Sequence, residues 1–315
     1  MKETLTQVKV VYGQTLAELG DRNKDIFVVE ADLMKASGSK PFKDKYPDRH
    51  INVGIAEQNL VGVAAGIAST GRIPYACTMA NFIAKRACDQ VAMSVAYNNF
   101  NVKLAGCYAG LTQEKNGGTH ISIIDMAIMR GVPNMKVIAP SDCNEFAQAV
   151  IAISEDYGPT YLRMPKLLKK NIFGSSYKFE IGKAYQFGKG SDVTIISTGI
   201  LTSIALDALE GLKNEGINAC LLHLPTLKPV DSESIVRCAK ETGAIITIED
   251  HSVFGGLGGL VSEIVTSKYP VPVYKLGLND RFGLTASLDF QLNYFGLTVE
   301  NIIKNAKNIL KIKKL

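Results

Sequence analysis

The chain has 315 residues, of which 46% are hydrophobic and 21% charged, and this length allows two ordinary domains. The net charge of +5 is too small to predict a nucleic-acid partner, and no segment reaches the ~20 apolar residues of a membrane span. The six cysteines show no C-x-x-C spacing, and the first residues show no apolar signal segment. We therefore expect a reduced, soluble, cytoplasmic protein without nucleic-acid or membrane partners.

Strands and helices alternate through the first half of the chain. Strands are predicted over 26–29, 51–53, 72–78, 102–107, 136–139 and 160–163, with helices over 8–19, 57–70, 81–97, 123–130 and 143–154. Residues 33–47 lack periodicity and are predicted to form a long loop. The alternation predicts a first α/β domain over 1–165, with a mainly parallel sheet covered on both faces.

The periodicity breaks over 166–190, which we interpret as a linker with a short edge strand. A smaller alternation over 191–315 then predicts a second doubly wound α/β domain. Its turn at Gly255–Gly259 opens a helix and could hold a phosphate. The spacing differs from G-x-G-x-x-G, which favours glycines that let the helix pack closely on the sheet.

Two residues, Glu57 and His120, are candidates for a functional role. Glu57 precedes the small, apolar run 60–68, which we expect to be buried, so its carboxylate must either find a partner or serve chemistry. His120 ends the glycine-bearing loop 108–120, which follows a predicted strand. An ordinary hydrogen-bonded core histidine is the alternative for His120, but the strand-end position together with Glu57 favours a functional role.

Four segments carry a resemblance to a known family: 54–59 (G-I-A-E-Q-N), 78–82, 86–91 and 117–120 (G-G-T-H). They resemble the C-terminal half of transketolases, above all the second subunit of split transketolases. Deoxyxylulose-phosphate synthases and the beta subunits of 2-oxoacid dehydrogenases are more distant relatives. The resemblance extends over nearly the whole chain, including Asp250-His251-Ser252. It implies a thiamine pyrimidine-binding domain followed by a transketolase C-terminal-type domain.

The resemblance implies a thiamine diphosphate site. Glu57 matches the glutamate that hydrogen-bonds the aminopyrimidine, which favours the tautomer that takes the proton from the thiazolium carbon and leaves a nucleophilic ylid. His120 matches a histidine that contacts a substrate oxygen and transfers protons. The remaining cofactor contacts implied on this chain are Phe82, Met79, Asp32 and Ile55.

The substrate end of the implied site departs from the family pattern. Arg163 and Ser37 match positions that bind sugar phosphate, and Arg86 is a further predicted substrate contact. Three positions differ from relatives: Tyr108 replaces a histidine, Asn116 an aspartate and Lys9 an arginine. These changes leave the identity of the ketose donor and the aldose acceptor open.

The sequence contains no Gly-Asp-Gly, the motif through which thiamine enzymes hold the diphosphate and Mg²⁺. We therefore expect no metal site on this chain, and a partner chain that carries the diphosphate-binding domain in an α₂β₂ heterotetramer. Alone, the chain would be inactive, as a β homodimer for example, and Glu57 would be buried only in the complex. The expected activity is transfer of a two-carbon ketol unit; the alternatives are a 2-oxoacid-decarboxylating synthase or dehydrogenase subunit, and a non-catalytic structural subunit.

Overall fold

A computed structural model describes residues 5–169, 171–174 and 176–313, so the predicted domain ends at 1 and 315 lie outside the described residues. The predicted α/β class is confirmed. A seven-stranded sheet has the order β12-β6-β7-β5-β4-β2-β3, and all its neighbouring strands are parallel except β12 and β6. Its strands are β2 Ile26–Glu30, β3 His50–Asn52, β4 Ile73–Met79, β5 Lys103–Cys107, β6 Lys136–Ile138, β7 Thr160–Met164 and β12 Thr226–Lys228.

Helices cover both faces of this sheet. A short strand pair, β1 (Leu5–Gln7) with β8 (Leu167–Lys169), lies beside it. One apolar core contains Leu60 and Ala64, and the other contains Tyr12 and Phe146. The helices are α1 Val8–Arg22, α2 Met34–Ser37, α3 Lys40–Lys45, α4 Glu57–Ser69, α5 Ala80–Lys85, α6 Asp125–Gly131 and α7 Cys143–Glu155.

The second half forms a five-stranded sheet with the order β14-β13-β10-β11-β9, in which only β9 is antiparallel to its neighbour. Its strands are β9 Tyr185–Phe187, β10 Val193–Ser197, β11 Ala219–His223, β13 Ile245–Ser252 and β14 Val273–Leu278. Its helices are α8 Leu201–Asn214, α9 Ser232–Thr242, α10 Leu257–Lys268, α11 Leu288–Tyr294 and α12 Val299–Lys313. Over the described residues, no helix has both the length and the apolar character needed to cross a bilayer.

Two predicted elements differ from the structure, and one strand was not predicted. The loop predicted over 33–47 contains α2, α3 and a 3₁₀ turn, all too short for hydrophobic periodicity to show. The helix predicted over 81–97 is broken into α5 and a π-helical segment, Gln90–Ala96. The sequence reading also missed β12, which belongs to the second half of the chain but pairs with β6 of the first sheet.

The glycine-rich turn at 255–259 packs a helix onto the sheet. Glu249 on β13 accepts hydrogen bonds from the backbone N–H groups of Leu257 and Gly258 at 2.6 and 2.7 Å. A Cβ atom added at Gly258 would lie 2.7 Å from the Lys275 side chain on β14. The first amides of α10 are therefore bound by the protein's own carboxylate, which agrees with the packing interpretation rather than the phosphate one.

Candidate active site

Four of the predicted site residues follow strand ends at the carboxyl edge of the first sheet. Parallel strands bring their carboxyl ends to one edge, and this is where open α/β sheets bind ligands. Asp32 follows β2, Glu57 follows β3, Phe82 follows β4 and Tyr108 follows β5. The topology thus brings together residues that lie far apart in the sequence.

Glu57 begins α4 and is already buried within this chain, with 3% of its side chain exposed. Its Oε2 accepts a hydrogen bond from Arg86 Nη1 at 2.9 Å. The expectation that a partner chain is needed to bury Glu57 is therefore wrong. The apolar run after Glu57 also differs from the prediction of full burial, because Gly62 and Gly66 face outward with nothing within 4 Å of an added Cβ.

An aromatic pair lies next to Arg86, the partner of this carboxylate. The Phe82 and His120 rings meet edge to face with centroids 5.1 Å apart. The loop that carries His120 is tied to α5, because Asn81 donates a hydrogen bond to the Thr119 carbonyl at 2.6 Å. His120 Nδ1 lies 2.8 Å from the Thr119 hydroxyl. His120 is partly exposed.

Asp32 is exposed and has a left-handed backbone with φ of 58°. Asn52, at the end of the adjacent strand β3, bonds it twice. The Asp32 N–H donates to Asn52 Oδ1 at 3.0 Å, while Asn52 Nδ2 donates to Asp32 Oδ1 at 3.1 Å. Asn52 therefore fixes the direction of the Asp32 carboxylate. The sequence reading did not single out Asn52, because it depends on strand pairing across 20 residues.

A cavity of about 120 Å³ lies at the carboxyl ends of β5 and β7 and brings together two predicted substrate contacts, Lys9 and Tyr108. Lys166, two residues beyond β7, also lines it and donates to Glu114 Oε2 at 2.9 Å. The sequence reading missed Lys166. Its position just after β7, a strand of the same sheet, could have indicated that Lys166 belongs to the site. Lys9 and Lys166 thus both line one small cavity, and a second lysine beside the Lys166–Glu114 pair suits an anionic ligand group.

Ser37 is placed differently from its predicted role in sugar phosphate binding. It is fully buried and donates to Glu30 Oε1 at 2.5 Å. Glu30 Oε2 has no hydrogen-bond partner among the described residues. Burial raises the pKa of Glu30 to about 7, although hydrogen bonds from Ser37 and Ser39 oppose this change. Ser37 thus serves a buried carboxyl group and is not accessible to a substrate.

Arg163 also departs from its predicted role. Only 2% of it is exposed, and it lies between Asp125 and Asp250. Its Nε donates to Asp125 Oδ2 at 2.9 Å, and its Nη1 donates to Asp250 Oδ1. Burial alone would lower the pKa of Arg163, but the two carboxylates outweigh it and raise that pKa above its usual value. Arg163 is therefore held in an ion-pair network that joins α6 of the first half to β13 of the second.

The remaining predicted residues lie around the rim of the site. Met79 ends β4, directly before the helix that carries Phe82, and it is partly buried. Asn116 is exposed, and its backbone carbonyl accepts from the Thr119 hydroxyl at 3.4 Å. Ile55 is 77% exposed. The side chains of Ile55 and Asn116 therefore lie at the surface of this chain.

The sequence matches two family descriptions: "Transketolase, pyrimidine binding domain" over residues 6–170 and "Transketolase, C-terminal domain" over residues 182–302. It is 41% identical over 302 residues to the 6-deoxy-6-sulfo-D-fructose transketolase subunit SqwH of a Clostridium species, which covers 96% of this chain and 94% of that protein. The chain belongs to the transketolase family. It is also 34% identical over 312 residues to one of the subunits of the apulose-4-phosphate transketolase of Phocaeicola vulgatus, over 99% of this chain and 100% of that protein.

Solved transketolases share the fold. A structure described as a split gene transketolase, inactive beta4 tetramer, superposes with a TM-score of 0.91 at 40% identity and covers 98% of this chain and 99% of that one. The transketolase of Pichia stipitis superposes with a TM-score of 0.83 at 22% identity, over 99% of this chain but only 47% of that one. This chain therefore has the extent of a split transketolase subunit.

Membership of the transketolase family implies the use of thiamine diphosphate. The residues at the carboxyl edge fit the pyrimidine half of that cofactor. Glu57 offers a buried carboxylate oxygen whose present partner, Arg86, is half exposed. Phe82, which is only partly buried, offers an aromatic surface beside it. A carboxylate next to an aromatic face suits a flat, nitrogen-bearing ring.

Proposed function

We propose that this chain is the pyrimidine-binding subunit of a split, thiamine diphosphate-dependent transketolase that moves a two-carbon ketol unit from a ketose to an aldose. The observation that carries the proposal is the buried Glu57 at the start of α4, whose partner Arg86 lies over the Phe82 ring, with His120 against that ring. A carboxylate is costly to bury even when it is paired, and the partner of Glu57 among the described residues, Arg86, is half exposed and can be replaced, which supports a position kept for chemistry. A purely structural subunit would not need it.

Bound thiamine diphosphate would supply the carbon nucleophile for ketol transfer. Glu57 would hold a proton at the pyrimidine nitrogen, and Phe82 with Met79 would pack against the ring. Asp32, oriented by Asn52, would lie next to the cofactor. His120 would donate or accept a proton at a substrate oxygen. The diphosphate and its Mg²⁺ would be held by a partner chain in the cytoplasm, in an assembly we propose to be α₂β₂.

The cavity with Lys9 and Lys166 is proposed to bind the anionic end of the sugar. Two similar proteins are named for a sulfo-sugar and for a sugar phosphate, and both groups are anions. A lysine is a compact charge that can serve either group without the two-pronged geometry of an arginine. The substrate class we propose is therefore a ketose or aldose with a terminal phosphate or sulfonate.

A decarboxylating synthase is the second candidate. The chain is 34% identical over 308 residues to the 1-deoxy-D-xylulose-5-phosphate synthase of Desulfotalea psychrophila, over 96% of this chain and 47% of that protein. Release of carbon dioxide from pyruvate by the assembled enzyme would favour this candidate. Transfer between ketose and aldose without carbon dioxide release would favour the transketolase.

The test is to produce the chain with a diphosphate-domain partner and add thiamine diphosphate and Mg²⁺. Ketose donors with phosphate, sulfonate or neutral ends are then compared. We expect Glu57→Gln to lower the transfer rate by about two orders of magnitude or more, because the pyrimidine loses its proton partner. Glu18 is exposed, so Glu18→Gln is the matched control and should leave the transfer rate unchanged. Size-exclusion chromatography would verify that both variants assemble, and full activity of Glu57→Gln would refute the proposal.

A further inference from the structure

Arg86 contacts both residues that are proposed to hold the pyrimidine ring. Its Nη1 lies 2.9 Å from Glu57 Oε2, and its guanidinium carbon lies 4.4 Å from the centre of the Phe82 ring. One planar group thus donates a hydrogen bond to the carboxylate and lies over the aromatic face. An aminopyrimidine held by Glu57 and Phe82 would make the same two kinds of contact.

We propose that Arg86 is a positioning residue for Glu57, and that in the chain without cofactor it occupies the place of the pyrimidine ring. This inference rests on the proposed function, because it takes Glu57 and Phe82 as the ring contacts. It replaces the prediction that Arg86 is a substrate contact. Binding of the cofactor requires the guanidinium to leave Glu57 Oε2.

Glu57 and Arg86 differ in how strongly each depends on the other for a hydrogen-bond partner. Glu57 is 3% exposed, so its carboxylate requires a hydrogen-bond donor in every state. The Arg86 side chain is 52% exposed, and within the described ranges its guanidinium donates to no acceptor other than Glu57. When Arg86 leaves, water can solvate its charge. The exchange of one partner for another at Glu57 is therefore possible without leaving a buried charge alone.

This arrangement has a thermodynamic consequence. If Arg86 occupies the ring position, only the fraction of molecules in which it has moved away can bind cofactor. The apparent Kd is then raised by the inverse of that fraction. Removing the guanidinium should tighten cofactor binding, while it should destabilise the chain without cofactor.

The first test uses the isolated chain and no cofactor. We expect Arg86→Met to lower the apparent Tm by about 3 °C or more, since Glu57 loses its counter-ion. In the Glu57→Gln background the same change should lower the Tm by less than about 1 °C. Lys85→Met removes an exposed charge from the neighbouring position and is the matched control. Equal lowering in both backgrounds would mean that Arg86 does not act through Glu57.

The second test measures the Kd of thiamine diphosphate, by calorimetry with Mg²⁺, for the chain assembled with its partner. We expect Arg86→Met to bind the cofactor about fivefold or more tightly than the unaltered enzyme, and Lys85→Met to leave the Kd unchanged. An unchanged or weaker Kd in Arg86→Met would overturn the inference. If no protein in the series binds cofactor, the proposed function fails, while the coupling of Arg86 to Glu57 is still decided by the first test.

Discussion

Replacing Arg163 by methionine separates a structural role from a substrate-binding role. Arg163 is almost completely buried and donates hydrogen bonds to Asp125 Oδ2 at 2.9 Å and to the Asp250 backbone carbonyl at 3.1 Å. Its Nη1 also pairs with the Asp250 carboxylate. Methionine fills similar volume but leaves both carboxylates without a cation. The substitution thus removes the one buried cation that pairs with both Asp125 and Asp250.

The magnitude follows from the burial of all three groups. Breaking a buried ion pair by removing one partner costs about 3–5 kcal/mol. Because the unfolding entropy grows with chain length, a change of 1 kcal/mol moves the Tm of a chain of 315 residues by roughly 1.5 °C. We therefore expect Arg163→Met to lower the Tm by about 5–8 °C. Because Asp125 and Asp250 belong to different halves of the chain, unfolding should also become less cooperative between the two halves.

Differential scanning calorimetry of the isolated chain measures this effect. Lys166→Met is the control variant, because Lys166 is partly exposed and lines the cavity, whereas Arg163 lies in the buried ion-pair network. It should leave the Tm within about 1 °C of the unaltered chain. If Arg163→Met keeps its Tm and instead raises the KM of a phosphorylated sugar, the ion-pair explanation is refuted. The sequence-based assignment of Arg163 to the substrate would then be correct.

Two further predictions concern the cavity and a buried carboxyl group. In the assembled enzyme, we expect Lys166→Met to raise the KM of a sugar phosphate or sulfonate about tenfold or more, because a charge-assisted hydrogen bond is worth ~1.5–3 kcal/mol. An equal rise in the KM of a neutral sugar would contradict this prediction. Burial raises the pKa of Glu30 from 4.5 to about 7. Between these two values the folded chain keeps the proton while the unfolded chain has lost it, so the free energy of unfolding decreases as the pH rises from 4.5 to about 7. We expect the free energy of unfolding, measured with urea at several pH values, to decrease by about 3 kcal/mol less in Glu30→Gln than in the unaltered chain over this pH range. An unchanged pH profile would refute the assignment.

Local sequence patterns predict much of the fold because local rules determine most of it. Apolar runs indicate six of the seven strands of the first sheet, and the start of α4 at Glu57 is confirmed. Asp142 is a typical N-cap residue, and its side chain accepts the Glu145 N–H at the start of α7 at 2.7 Å. Each of these features depends on residues a few positions apart. The alternation of elements then restricts the topology to a mainly parallel sheet.

The features that the sequence reading missed depend on distant partners. The family resemblance assigns Arg163 to the substrate, since an arginine fork suits a phosphate. Its partners Asp125 and Asp250 lie 38 and 87 residues away, and no local pattern reveals them. Strand β12 likewise pairs with β6 across the two halves of the chain. Lys166 enters the site only because β7 ends beside β5 in the folded sheet.

Two buried glutamates beside helix starts show what distinguishes a structural carboxylate from a functional one. Glu249 is held by two backbone N–H groups of α10, at 2.6 and 2.7 Å, and these donors cannot move without unwinding the helix. Glu57 is held by the side chain of Arg86, which is half exposed and can turn away. Burial and proximity to a helix start alone would assign both residues the same role. The mobility of the donor separates them, since only Glu57 can exchange its present partner for a ligand.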